Sequence, residues 1–136
     1  MLRWSLPLLA LLAGCAATPQ DVARSDAMRA EEDVRLARAL AGRAAGTPQS
    51  CLNTRNLNTS VFGDRILYRG VGDTVYLNQT NGGCFGLRRD DIIVASTPIG
   101  QFCRGDIIRT VDRASGAPSG ACAFGDFVPY ARAPRR

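Results

Sequence analysis

The chain has 136 residues and a net charge of +5, it lacks histidine, and all 17 of its basic residues are arginines. Without histidine or lysine, the Ser-His-Asp triad, the Cys-His pair, the Ser-x-x-Lys acyl-enzyme and the Schiff-base lysine each lose a required member. Acids are interleaved with the arginines, and no basic stripe alternates with aromatics, so the composition favours a solvated mixed surface and speaks against a nucleic-acid partner.

The first elements concern export. Residues 1–14, MLRWSLPLLALLAG, carry one early arginine, an apolar run and a small-residue finish. This is the layout of a signal peptide, and the run is too short to span a membrane as a helix. The ordinary alternatives are a plain cleaved signal, or a buried apolar segment whose cysteine pairs with another. Leu12-Ala13-Gly14-Cys15 resembles the lipobox of bacterial lipoproteins. That resemblance implies cleavage before Cys15, lipid on the new N-terminal cysteine, and residues 15–18 as the anchor segment. Ala16, where an aspartate would imply retention at the inner membrane, implies delivery to the periplasmic face of the outer membrane.

Residues 19–49 read as a helical spacer. Thr18 is placed as an N-cap, Pro19 at the first helical position, and Asp21 as the acid that closes a capping box. Alanines are dense, Glu31 stands four residues before Arg35 in the favourable helical orientation, and Gly42 or Gly46 followed by Pro48 supplies the stop. The spacing predicts a helix over 19–43. Its apolar residues (Val22, Met28, Val34, Leu36 and Leu40) form a loose stripe, so deep packing is not expected.

From Cys51 the composition shifts to β-branched, aromatic and turn residues, and residues 50–131 read as a β domain. Ile66–Arg69 and Thr74–Asn78 form a hairpin across Gly70-Val71-Gly72-Asp73, and Asn81-Gly82-Gly83 is the next turn. Further strands are expected near Leu57–Phe62, Ile92–Ser96, Asp106–Asp112 and Phe127–Tyr130, with Arg113–Ala121 as a loop. The fold class is therefore an all-β small barrel or sandwich of about six short strands, preceded by an N-terminal α-helical linker. Residues 132–136 form a basic tail.

A core of this size rarely supplies more than about 3–5 kcal/mol, so covalent staples are expected. With Cys15 assigned to lipid, Cys51, Cys84, Cys103 and Cys122 form an even set, read in an exported chain as two disulfides. Three connectivities are open. Cys84–Cys103 with Cys51–Cys122 is favoured because it ties the first strand to the last. No Cys-x-x-Cys pair exists and the spacings match no zinc template, so neither a metal nor a cofactor is expected.

Four clusters are candidates for chemistry or binding. In LRRDD, Arg88 and Arg89 precede Asp90 and Asp91, which read as a charged turn before a strand and otherwise as an acid–base pair. In CRGD, Asp106 is expected to accept backbone N–H groups as an Asx-type cap, with Arg104 and Arg109 flanking it as a possible anion site. Tyr68 and Tyr76 face each other across the hairpin, for packing or as a stacking platform. Asn58-Thr59-Ser60 and Asn78-Gln79-Thr80 match a glycosylation pattern that a bacterial lipoprotein would not use.

Finally, the opening cysteine, CFGLRRDD, CRGDIIRTVDR and a cysteine shortly before GDFVPY resemble a family of uncharacterised bacterial envelope proteins, classed as a domain of unknown function. The resemblance spans about Cys51 to Val128. It implies a small exported, cysteine-bearing domain and carries no catalytic residues. The expected function is non-enzymatic: a lipid-anchored outer-membrane protein whose periplasmic β domain binds or supports another envelope protein or a cell-wall partner. The alternatives are an inhibitor of a cell-wall-degrading enzyme and, behind it, an aspartate-dependent hydrolase using Asp90, Asp91 or Asp106.

Overall fold

A computed structural model describes residues 17–133. The signal peptide 1–14, Cys15 and the end of the basic tail lie outside the described residues. In chain order the elements are helix α1 (Pro19–Ala39), strands β1 (Arg43–Ala45), β2 (Cys51–Asn53), β3 (Asn58–Phe62), β4 (Arg65–Arg69) and β5 (Val75–Gln79), and a 3₁₀ helix (Phe85–Arg89). Strands β6 (Ile92–Ala95), β7 (Gln101–Cys103), β8 (Ile107–Val111), β9 (Pro118–Ala123) and β10 (Phe127–Arg132) follow. They form a five-stranded sheet in the order β1-β10-β5-β4-β3, a three-stranded sheet β6-β8-β9 and the pair β2-β7.

Helix α1 starts as its sequence dictates. Thr18 Oγ1 accepts from the Asp21 N–H at 3.2 Å, and the Asp21 carboxylate accepts from the Thr18 N–H, closing the capping box before Pro19. The helix stops at Ala39, short of the expected 43, because Gly42 takes a positive φ of 70° and the chain turns into β1. Arg43–Ala45 then pairs antiparallel with β10, Ala44 opposite Ala131. The end of the spacer is thus part of the sheet. An arginine and two alanines on an edge carry too little pattern to be read as a strand.

The five-stranded sheet is apolar on both faces. In β4, Ile66 and Tyr68 point into the main core with Leu52, Leu87, Ile108, Phe124 and Phe127, while Leu67 points the opposite way. There Leu67, Phe62 and Val75 meet Leu36 of α1, which is buried. Arg35, read as the partner of Glu31, has its guanidinium carbon 5.6 Å from the centre of the Phe62 ring. From Pro19 to Glu31 nearly every residue is exposed, so α1 packs by its C-terminal end and projects roughly 20 Å beyond it. The order of layers is α1, five-stranded sheet, core, three-stranded sheet.

The loop expected over Arg113–Ala121 is in part strand β9, Pro118–Ala123. Its glycine and serine content hides the strand, yet Gly120 lies opposite Thr110, where a Cβ would come within 3.0 Å of the Thr110 hydroxyl. A Cβ there would force the Thr110 hydroxyl, which accepts from Ser119, to give way by a few tenths of an ångström. The fold is therefore mostly β, with ten strands among the described residues where about six were expected, and it is sandwich-like. At one side the sheets are stitched by the Asn81↔Ala123 bridge. At the other, β3 and β6 each end a sheet and do not pair, so the barrel does not close.

Both disulfides are present, but the favoured connectivity is wrong. The bonds are Cys51–Cys103 and Cys84–Cys122. The register of β2 against β7 places Cys51 directly opposite Cys103, with Cα atoms 4.0 Å apart, which leaves Cys51 no route to Cys122. Cys122 faces inward from β9 and meets Cys84, at the head of the 3₁₀ helix, across a Cα separation of 5.2 Å. The tie between the beginning and end of the domain is made instead by hydrogen bonds, Gln49 pairing with Phe127 and β1 with β10.

Candidate binding face

The charged clusters singled out above are mostly consumed by the fold. Arg88 reaches Glu32 of α1 at 3.9 Å, Arg89 reaches Asp91 at 3.4 Å, and Arg104 reaches Asp126 at 3.2 Å. Asp90 closes the 3₁₀ helix in the left-handed region at φ 60°, and its carbonyl accepts from both Nε and Nη2 of Arg113. Asp90 and Asp91 both line the open seam between β3 and β6, over a floor that includes Tyr68, Phe102 and Ile93. Their side chains differ sharply, 93% exposed for Asp90 and 3% for Asp91. Asp106 sits elsewhere and accepts from the Cys103 N–H at 2.8 Å, the turn cap that its spacing suggested.

The tyrosines serve packing. Tyr68 and Tyr76 are direct partners across β4 and β5. Tyr68 is buried against Phe102, Phe124 and Phe127, with ring centres 6.0 to 6.3 Å away, and burial raises its phenol pKa well above the ordinary value. Asn78 is also buried, donating to the Gly125 carbonyl at 2.8 Å while its Oδ1 accepts from the Gly125 N–H, so it is a structural amide and not a surface sequon. In the β8–β9 turn, the Ser115 N–H and hydroxyl, joined by the Ala114 N–H, hold Asp112 below the usual carboxylate range. Every buried side-chain nitrogen or oxygen among the described residues has a hydrogen-bond partner.

Arg109 is different. It stands in the middle of β8 on the outer face of the three-stranded sheet, with Val94 opposite on β6 and Ala121 opposite on β9. Alternation places Ile107 and Val111 on the same face of β8, and Ile92 on the same face of β6. Ile92 is 43% exposed, Val94 46% and Ile107 56%. A shallow depression of about 560 Å³ runs across this face between Val94, Arg109, Val111, Pro118 and Ala121. No acidic side chain among the described residues lies within ion-pair distance of Arg109.

Comparison of the chain with protein-family models, with curated proteins and with solved structures found no match. The geometry itself therefore carries the functional argument. An antiparallel sheet with one face in solvent ordinarily carries polar residues on that face, so one that is apolar outward as well calls for cover on both faces. The five-stranded sheet obeys this rule, with α1 outside and the core inside. In the three-stranded sheet β6 and β8 carry apolar residues on both faces, but only the inner face is covered. Contiguous exposed apolar surface of this kind marks interaction sites.

Sequence reading reached Arg109 and missed its apolar surround. The signal was available in Ile92-Ile93-Val94 and Ile107-Ile108: with period two, one residue of each adjacent apolar pair must point outward. Among the described residues no cluster of three or more His, Cys, Asp or Glu side chains is arranged to hold a metal ion.

Proposed function

We propose that the protein is a non-enzymatic lipoprotein, held through lipid on Cys15 at the periplasmic face of the outer membrane, whose β domain binds another envelope component through the Arg109 face. The single observation that carries the binding claim is the open outer face of β6-β8-β9, apolar around one arginine. Location is supported by Leu12-Ala13-Gly14-Cys15 and by two disulfides, which persist in oxidising compartments. The projecting N-terminal half of α1 suits a spacer that lifts the domain from the lipid surface. The carboxylates a hydrolase would use are each tied into turns or ion pairs, which supports the non-enzymatic reading.

Two variants test the two halves of this proposal. Cys15→Ser is expected to lose the lipid mass and to appear in the soluble periplasmic fraction; a variant still held at the membrane contradicts the anchor. Ile107→Asp leaves the core untouched and is expected to cost about 1 kcal/mol, while abolishing the adducts that a photoreactive residue at position 94 is expected to form in intact cells. Adducts unchanged by Ile107→Asp contradict the binding face.

A further inference from the structure

The geometry points to a second copy of this chain as the occupant of the Arg109 face, covering it with the projecting half of α1; this rests on reading that face as the binding face. The molecule shows how it covers such a surface once already. On the five-stranded sheet, α1 inserts Leu36 among Phe62, Leu67 and Val75 and flanks it with carboxylates, Glu32 facing Arg88 and Asp33 facing Arg65. An apolar sheet face with arginine, met by a helix with carboxylates, is thus a contact this sequence is built to make.

The rest of α1 offers the same chemistry unused. Among the exposed large apolar residues, Ile92, Val94 and Ile107 share the open sheet face, while on α1 Val34 lies on the side away from Leu36 and Val22 and Met28 point to other sides of the helix. Ala23, Ala27, Ala30 and Val34 recur at helical spacing on the side of α1 away from Leu36, and all are exposed. Asp26 borders that side. Its pair with Arg29, at 3.7 Å between largely exposed side chains, is of the kind that contributes little and is readily exchanged.

The sizes agree. Ala23 to Val34 rises about 17 Å, close to the length of a five-residue strand such as β8, and three strands are about 10 Å wide, the diameter of a helix. The helix cannot reach its own open sheet, because Leu36 fixes it on the far side of the five-stranded sheet. Two open sheets stacked about a two-fold axis through Arg109 would bring the two arginines together, so that centred arrangement is disfavoured by charge. A helix-to-sheet contact is heterologous, and it links copies head to tail.

Sedimentation equilibrium of the mature chain carrying Cys15→Ser tests this directly. Concentration-dependent self-association is expected, weakened at least about tenfold by Arg109→Asp or by Asp26→Arg alone and restored to within about threefold when the two are combined. A monomer at all concentrations overturns the inference, and so does association that neither swap affects or that the double swap fails to restore. If the chain is monomeric while Ile107→Asp still removes the adducts in cells, the binding face stands and only its occupant is wrong. If both readouts are silent, the binding face falls as well.

Discussion

Replacing Cys51 and Cys103 together by serine is expected to lower stability by about 4 kcal/mol, and replacing Cys84 and Cys122 by a similar amount. The closed loops span 52 and 38 residues, and in the chain-entropy relation loops of this size each restrict the unfolded ensemble by about 4 kcal/mol. A core of this size supplies about 3–5 kcal/mol without staples. Removing both bonds is therefore expected to leave only the few kcal/mol of the core, with the urea midpoint falling far below that of the oxidised protein. Urea titration followed by circular dichroism, with and without reductant, measures this. A urea midpoint that full reduction leaves unchanged contradicts it. Non-reducing peptide mapping should recover Cys51 linked to Cys103 and Cys84 linked to Cys122.

Phe124→Ala is the second large effect. Phe124 is fully buried at the centre of the aromatic cluster, 5.0 Å from Phe102 and 5.5 Å from Phe127 between ring centres. Truncation removes its burial and leaves a cavity among rings that belong to three different strands and cannot close together, a loss of about 3–5 kcal/mol. For a domain of this size that is a fall in Tm of roughly 15 °C or more. Phe85→Ala, at a side chain 75% exposed, is the matched control and should move stability by no more than about 0.5 kcal/mol. Similar losses for the two variants would mean that the core is not where the structure places it.

These effects show what sequence could and could not carry. The β4–β5 hairpin was legible because its turn residues and alternating aromatics agree, and Tyr68 does face Tyr76. The two-sided burial of β4 was not legible, since RILYR says nothing about α1 covering Leu67. The cysteines were legible as an even set but not as pairs, because pairing follows the β2–β7 register, a long-range property that no local pattern encodes. Strand β9 was hidden by the very glycine that lets it approach Thr110. For the site, the arginines were visible as a class. Which of them the fold consumes depended on acids distant in sequence, Glu32 for Arg88 and Asp126 for Arg104. Arg109 remained, and its neighbours became visible only when β6 and β9 were set beside β8.

An anchored domain that binds through the Arg109 face is the central claim, and a photoreactive residue at position 94 tests it most directly. Val71, at the tip of the β4–β5 hairpin and 88% exposed, is the control position. After irradiation of intact cells, position 94 should give a discrete protein adduct that Arg109→Asp abolishes, and position 71 should give none. Equal labelling from the two positions, or none from position 94, would contradict it.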